Sequence, residues 1–240
     1  TDNESAEEII NQAINLTDNH GFSSLHFHFV KSADLTLLES CGLLKRVDCQ
    51  FHWFNNNYRS FDHFLDELIS KKRKKIKRER RKVEEQNIIF KWHYGSEISN
   101  EKWKTIYKLI SMTFYKKGSS PYFSYDFFTE ISKKLPHKIM VITANIRTNI
   151  IGAAIFFVDK NGLYGSNWGT DDGYDSLHFE TCYYQGIDYC IKNNLKYFEP
   201  GTGGEHKISR GFIPRKTWSA HHLSNINFSN AIKNYLAKES

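Results

Sequence analysis

The chain has 240 residues, of which 40% are hydrophobic, and a net charge of +6. This length and apolar content indicate a folded globular protein and exclude a disordered chain. The longest apolar run, residues 150–158, is too short for a membrane-spanning helix, which needs about 20 residues. The four cysteines form no CxxC metal motif. We therefore expect a cytoplasmic protein with reduced thiols.

The N-terminal quarter is predicted to alternate helices and strands. Residues 24–30 alternate apolar and polar side chains, which is typical of a half-buried strand, and place His26 and His28 on one face. A metal pair there is conceivable, but a solvated polar face is favoured because no third ligand stands nearby in the sequence. The other elements predicted in this part are a helix at 5–19, a helix at 33–40 and a strand at 46–54.

A long helix is predicted to begin at Ser60 and to continue through a basic run, KKRKKIKRERRK at residues 71–82. The run holds ten basic residues and one acidic residue. An ordinary exposed helix face mixes both signs in i,i+4 pairs, so this imbalance favours a surface that binds a polyanion. The alternative is a solubilising face on a linker helix. The residues predicted to bind the polyanion are Lys71, Lys72, Arg73, Lys74, Lys75, Lys77 and Arg78.

The second half of the chain is predicted to be a sheet flanked by helices. Three strands follow one another with connections of about three residues, which predicts an antiparallel meander. The predicted elements are a strand at 88–94, helices at 100–116 and 124–134, strands at 138–146, 150–159 and 163–169, a helix at 176–193 and a strand at 196–199.

The densest group of reactive side chains follows this last strand, in FEPGTGGEHKISRGFIPRKTWSAHH at residues 198–222. Its glycines can adopt positive φ or approach a ligand closely. An acid, an imidazole and two cations then follow within six residues and can supply proton transfer and charge stabilisation. By spacing alone, a solvated charged loop explains the stretch equally well. The residues concerned are Gly201, Gly203, Gly204, Glu205, His206, Lys207 and Arg210.

Two segments carry a family resemblance. SFDHFLDELISKKRKKIKRERRKV, from residue 60, resembles a helix of Fem-type peptidoglycan aminoacyltransferases. HFETCYYQGIDYCIKNNLKYFEPGTGGEHKISRGFIPRKTWSAHH, from residue 178, resembles the FemAB-like family of peptidoglycan biosynthesis/recognition proteins. The resemblance covers all 240 residues, and the order of elements resembles the GNAT acyltransferase fold, which binds its acyl donor where two neighbouring strands splay apart.

The resemblance implies an α/β (α+β) chain of GNAT-like fold, with a mixed, mostly antiparallel sheet flanked by helices. One lobe is expected to be complete and the other partial, because the family is longer at its N-terminus. Residues 1–59 would be the C-terminal part of an N-terminal lobe. Residues 60–86 would be a basic linker helix, and residues 87–240 the complete C-terminal lobe.

The resemblance also implies a bacterial enzyme that transfers an acyl or aminoacyl group to an amine, such as one on a peptidoglycan precursor. No tightly bound cofactor and no metal are expected, and the donor would be aminoacyl-tRNA, bound through the basic helix, or acyl-CoA. The stretch TDDGYDS at residues 170–176 argues against CoA, because its three aspartates would repel a pyrophosphate at a helix N-terminus.

For this activity, either Glu205 or His206 is the predicted proton acceptor, and Lys207 and Arg210 are the predicted anion or oxyanion partners. His178, Glu180 and Trp168 are predicted around the substrate. Three alternatives stay open. In the first, Glu205 and Arg210 form a purely structural ion pair. In the second, the chain is a non-catalytic glycan-recognition module that stacks sugars on aromatic side chains. In the third, the chain is an acyl-CoA-dependent N-acyltransferase of small amines.

Overall fold

The computed structural model describes residues 3–171 and 173–239. The chain divides into two compact units, Thr1–Gln50 with Pro214–Ser240, and Phe51–Ile213. The lobe boundaries expected from the family resemblance stay a prediction.

The first unit pairs helices with a short antiparallel sheet. Strand β1 runs antiparallel to β8, with Ser24 opposite Leu223 and His28 opposite Ser219, and β8 neighbours β2. A helix that no sequence pattern predicted, α9, follows β8. The elements are α1 (Asn3–Asn19), β1 (Ser24–His28), α2 (Ser32–Ser40), β2 (Leu44–Phe54, which ends in the second unit), β8 (Ile213–Leu223) and α9 (Ile226–Glu239).

The second unit is built on strands in the order β2-β7-β6-β5-β4-β3. Only β6 and β7 are parallel, and the other neighbours are antiparallel. The predicted meander is confirmed as β4 to β6. The elements are α3 (Phe61–Asp66), α4 (Ser70–Glu84), β3 (Ile89–Tyr94), α5 (Asn100–Tyr115), α6 (Tyr125–Lys134), β4 (Ile139–Ile146), β5 (Asn149–Val158), β6 (Gly162–Thr170), α7 (Leu177–Phe179), α8 (Gln185–Lys192) and β7 (Tyr197–Glu199).

Apolar residues cover both faces of this sheet. On β4, Met140 and Ile142 point into one core, while Val141 points into the other, beside Trp103 and Phe128. Alternating side chains of a strand lie on opposite faces, so an uninterrupted apolar strand requires helices on both sides. This is the mixed, mostly antiparallel sheet flanked by helices that the sequence predicted.

The predicted long helix is two helices. Helix α3 begins at its N-cap Ser60, whose side chain accepts the His63 N–H, and α4 begins after the extended residue Ile69.

The helix predicted over residues 176–193 is interrupted as well. It starts as α7, passes through a π-helical turn at Glu180–Tyr184, and continues as α8. All five residues of the π turn are buried. Such turns occur frequently at functional sites, and this one faces the glycine-rich segment after β7.

Candidate functional site

The parallel strands β6 and β7 are paired over three residues and then diverge. They are in register from Gly162 opposite Tyr197 to Tyr164 opposite Glu199, where β7 ends and β6 continues to Thr170. On its other side β6 bulges against β5, so that Ser166 has no partner in the register. A cavity of about 440 Å³ opens at this divergence, which is within the size range of small-molecule sites.

The glycine-rich segment after β7 forms one wall of the cavity. Gly201, Gly203 and Gly204 all have positive φ, between 73° and 93°, a region that side-chain-bearing residues avoid. These turns bring the segment into a 3-10 helix at Glu205–Arg210. The expectation that the backbone can adopt positive φ at these glycines is confirmed.

Lys207 lies inside this wall. Its side chain is 1% exposed and lines the cavity. Its Nζ donates hydrogen bonds to the carbonyl oxygens of Gly201, at 2.6 Å, and Thr202, at 3.3 Å. Burial lowers the pKa of this ammonium to about 8, against the opposing effect of Glu199.

His206 stands at the edge of the same wall and contacts Tyr183 of the π turn. The His206 Nε2 and the Tyr183 hydroxyl are 2.9 Å apart, and both residues line the cavity. Desolvation and the nearby Arg210 lower the pKa of His206, whereas burial raises the pKa of Tyr183. Near neutral pH the pair therefore consists of an unprotonated imidazole and a phenol that keeps its proton.

His178 and Trp168 form an aromatic part of the lining. Their ring centroids are 5.5 Å apart, and the His178 ring lies 5.3 Å from that of Tyr183. Burial, followed by the charge of His206, lowers the pKa of His178 to about 4. His178 is thus neutral over the physiological range. The structure brings together four predicted site residues at this cavity, namely Trp168, His178, His206 and Lys207.

Arg210 is not part of the lining. It is 2% exposed and forms a buried, two-pronged ion pair with Glu79 of α4, with its Nη2 2.7 Å from Oε1 and its Nε 3.1 Å from Oε2. The Tyr184 hydroxyl also donates to Glu79. Arg210 Nη1 donates to the His206 carbonyl oxygen at 2.8 Å. Arg210 therefore anchors the 3-10 helix to α4, and its role as a substrate partner stays a prediction.

Glu205 and Glu180 also lie outside the lining. Glu205 is exposed, and the carboxylate of Glu180 is buried against Arg80 at 3.1 Å. Gln185 donates to Glu180 as well, at 2.9 Å, and burial raises the pKa of Glu180. The structure does not place either carboxylate among the cavity-lining groups.

The basic run lies on α4, and its cations differ in their surroundings. Arg73 pairs with Asp66 at 3.1 Å, and Lys77 lies 3.7 Å from Asp62. Lys75 donates to the Ser209 hydroxyl, on the 3-10 helix. Among the described residues, the predicted polyanion-binding side chains with no hydrogen-bond or ion-pair partner are Lys71, Lys72, Lys74 and Arg78.

The acidic stretch at 170–176 is partly described. Asp172 lies outside the described residues. Asp175 pairs with Lys82 at 2.6 Å, and hydrogen bonding from Lys82 lowers its pKa. The negative charge of at least one of the three aspartates is therefore balanced by a cation of the basic helix.

Several features of the site were not predicted. Tyr183 was assigned to an apolar helix stripe and to the aromatic side chains that could stack a sugar, but its contact with His206 was not predicted. Lys117, in the turn after α5, has no sequence pattern that would mark it as a site residue. Glu79 did have a sequence signal, because this only acid of the basic run lies three residues after Ile76 and four before Val83, which places it on the buried stripe of the helix.

Among residues 3–171 and 173–239, no three His, Cys, Asp or Glu side chains are placed to hold a metal ion. No helix in the same part of the chain is both long and apolar enough to cross a bilayer.

A comparison with protein-family models assigns the whole chain. The model for FemAB-like proteins, described as peptidoglycan biosynthesis/recognition, matches residues 1–240. A search of curated proteins gives no match.

Solved structures share the fold at low sequence identity. The C-terminal domain of a protein described as a lysylphosphatidylglycerol synthetase from Agrobacterium fabrum has a TM-score of 0.67 at 11% identity, over 99% of this chain and 78% of that one. FemX has a TM-score of 0.63 at 9% identity, over 97% and 80%. A tandem GNAT protein from the clavulanic acid biosynthesis pathway has a TM-score of 0.53 at 7% identity, over 90% and 68%. The predicted GNAT-like fold is confirmed.

Proposed function

We propose, from the premise that this chain belongs to the FemAB-like family, that it is an N-acyltransferase. It transfers an acyl or aminoacyl group to an amine of a peptidoglycan precursor in the cavity between β6 and β7. The observation that carries the proposal is the His206–Tyr183 pair on the wall of that cavity. An imidazole and a phenol in hydrogen-bond contact are a suitable acid–base pair for acyl transfer.

Acyl transfer requires an amine without its extra proton and a protonated leaving group. His206, whose pKa is lowered, accepts a proton from the attacking amine. Tyr183, whose pKa is raised, donates one to the departing oxygen or sulfur of the donor. Their 2.9 Å contact returns the proton from imidazole to phenol. A C–N bond forms, the bond from the acyl carbon to its carrier breaks, and the proton lost by the amine balances the one gained by the carrier.

The charges of the cavity favour the reactive form of the amine. Lys117 and Lys207 line it, and no Asp or Glu belongs to the lining among the described residues. A substrate ammonium placed there meets like charges, which disfavour its protonated form. Burial acts in the same direction, since it lowers the pKa of Lys207 itself to about 8. The bound amine therefore loses its proton at a lower pH than it does in water.

For the donor, the proposal favours aminoacyl-tRNA over acyl-CoA. Lys71, Lys74 and Arg78 follow i, i+3, i+7 spacing, so they share one face of α4, away from its buried stripe. Through Lys75 and Ser209 the helix contacts the wall of the cavity. A row of cations is suited to a phosphate backbone. Replacing the three by Gln should weaken tRNA binding and flatten its salt dependence.

The experiment offers radiolabelled aminoacyl-tRNA or acyl-CoA together with a muropeptide that carries a free amine. We expect label to move to the muropeptide amine. His206→Gln should lower kcat by about 10²- to 10⁴-fold and Tyr183→Phe by less, at unchanged melting temperature. His137→Gln, an exposed histidine on another part of the unit, is the matched control. A loss in Glu205→Gln but not in His206→Gln would move the base to Glu205.

A second candidate is a non-catalytic module for peptidoglycan fragments. The observation in its favour is the aromatic part of the lining, where Phe114, Trp168 and Tyr183 offer ring faces to a sugar. Saturable muropeptide binding without turnover of either donor would support this reading and overturn the enzyme proposal.

A further inference from the structure

The cavity wall holds a buried cation, Lys207, for which the described residues provide no carboxylate in ion-pair contact. Lys207 is 1% exposed, and among the described residues no carboxylate lies within 4 Å of its Nζ. Buried ammonium groups are ordinarily paired, because removing a charge from water is costly. Arg210, three residues on, follows this rule through Glu79. Lys207 departs from it.

The hydrogen bonds of Lys207 leave one donor for a ligand. An ammonium has three N–H groups, and the carbonyl oxygens of Gly201 and Thr202 accept two of them. The third has no acceptor among the described residues. Because Lys207 lines the cavity, a bound molecule can reach it.

The nearest acid is directed elsewhere. Glu199, at the end of β7, raises the pKa of Lys207 through its charge, but it lies outside the cavity lining and 3.8 Å from His52 Nε2. The charged or titratable groups of the lining itself are Lys117, His178, Cys182, Tyr183, His206 and Lys207. None of them carries a negative charge at neutral pH.

We propose that Lys207 and Lys117 bind an oxyanion of the substrate, a carboxylate or a phosphate, carried by the same molecule as the reacting amine or acyl group. The inference rests on the proposed function and adds its substrate class, which is an anionic substrate held by the cavity. A free α-ammonium without a neighbouring anion is disfavoured in the same place, because it would meet only cations.

This arrangement also orients the reaction. The anion occupies the inner wall at Lys207, while His206, the next residue along the chain, stands at the outer edge beside Tyr183. A substrate whose anionic group is bound at Lys207 places another of its groups, a few bonds from the anion, next to the imidazole of His206. Amino acids and peptide C-termini have this layout, and so do phosphorylated amines.

The test measures binding by NMR titration of the ¹⁵N-labelled protein with three probes. These are N-acetylglycine, N-acetylglycinamide, which lacks the charge, and methyl phosphate. We expect the amide of Gly201 or Thr202 to shift with one anionic probe, and the uncharged amide to bind at least about 10-fold more weakly. The better of the two anionic probes identifies carboxylate or phosphate.

Variants separate the site from general charge effects. Lys117→Gln should weaken binding of the anionic probe several-fold. Lys108→Gln should not, because Lys108 is an exposed lysine of the preceding helix α5 that is not in the lining. Lys207→Met should abolish the preference for anions. Because Lys207→Met also removes two loop hydrogen bonds, a second readout uses the wild-type protein. The pKa of Lys207, followed through its side-chain ¹⁵N signal, should rise from about 8 when the anion binds.

The outcomes distinguish the two proposals. If neither N-acetylglycine nor methyl phosphate binds more tightly than N-acetylglycinamide, and neither raises the pKa of Lys207, the anion site is overturned even if transfer activity is observed. Selective anion binding without any transfer would sustain the anion site and count against the enzyme proposal.

Discussion

The buried pair of Glu79 and Arg210 offers a prediction whose size follows from the structure. Glu79→Ala removes both carboxylate contacts to Arg210, at 2.7 and 3.1 Å, and leaves that guanidinium 2% exposed without a counter-ion. Breaking a buried ion pair by removing one partner costs about 3–5 kcal/mol. We expect that loss in the free energy of unfolding, measured by urea titration with circular dichroism.

Two further variants make the test specific. Glu85→Ala removes an exposed partner of Arg81 on the same helix, at 3.5 Å, and should cost under about 1 kcal/mol. The double variant Glu79→Leu with Arg210→Met should be more stable than Glu79→Ala, because it leaves no buried charge. A cost below about 1 kcal/mol for Glu79→Ala would refute the anchoring role and leave Arg210 available to a ligand.

Three more predictions concern the cavity. Folding lowers the pKa of His178 from 6.5 to about 4, so the unfolded chain binds more protons than the folded one between these pH values. The protein should therefore lose up to about 3 kcal/mol of its free energy of unfolding as the pH falls from 6.5 to 4. His178→Gln should reduce that loss in pH-dependent urea unfolding, whereas His137→Gln should not. Ser166→Trp should block muropeptide binding by isothermal titration calorimetry at unchanged melting temperature, and full binding would place the ligand elsewhere. Gly204→Ala should lower the melting temperature and shift the His206 ring signals in NMR. The added Cβ would lie 2.4 Å from that ring, and the φ of Gly204 is 93°. Unaltered spectra would contradict this packing.

The sheet could be predicted largely from the sequence. Alternation and short connections identify β4 to β6, and an uninterrupted apolar strand such as Ile139–Ile146 indicates cover on both faces. The family resemblance implied only that two neighbouring strands splay apart. The parallel pairing of β6 with β7 was not predicted, because residues 197–199 are too few to specify a partner. The break between α3 and α4 was not predicted, because the apolar stripe of α3 resumes in phase at Ile76.

The candidate site was predictable in composition but not in arrangement. Glycines followed by Glu205, His206, Lys207 and Arg210 identified the segment. A 3-10 helix, however, directs neighbouring side chains in different directions, so that two of the four line the cavity while one is exposed and one is buried against α4. Such differences depend on packing against distant residues, which local spacing does not reveal.

The central claim is that His206 takes a proton from an amine in the cavity between β6 and β7. Its most direct test is the pH dependence of kcat/KM for transfer of label from the donor to the muropeptide, in the wild-type protein and in His206→Gln. We predict an ascending limb in the wild type with an apparent pKa below 6.5, as expected for an imidazole whose pKa is lowered, and its disappearance in His206→Gln together with most of the activity. An ascending limb that persists unchanged in His206→Gln, at wild-type rates, would contradict the claim.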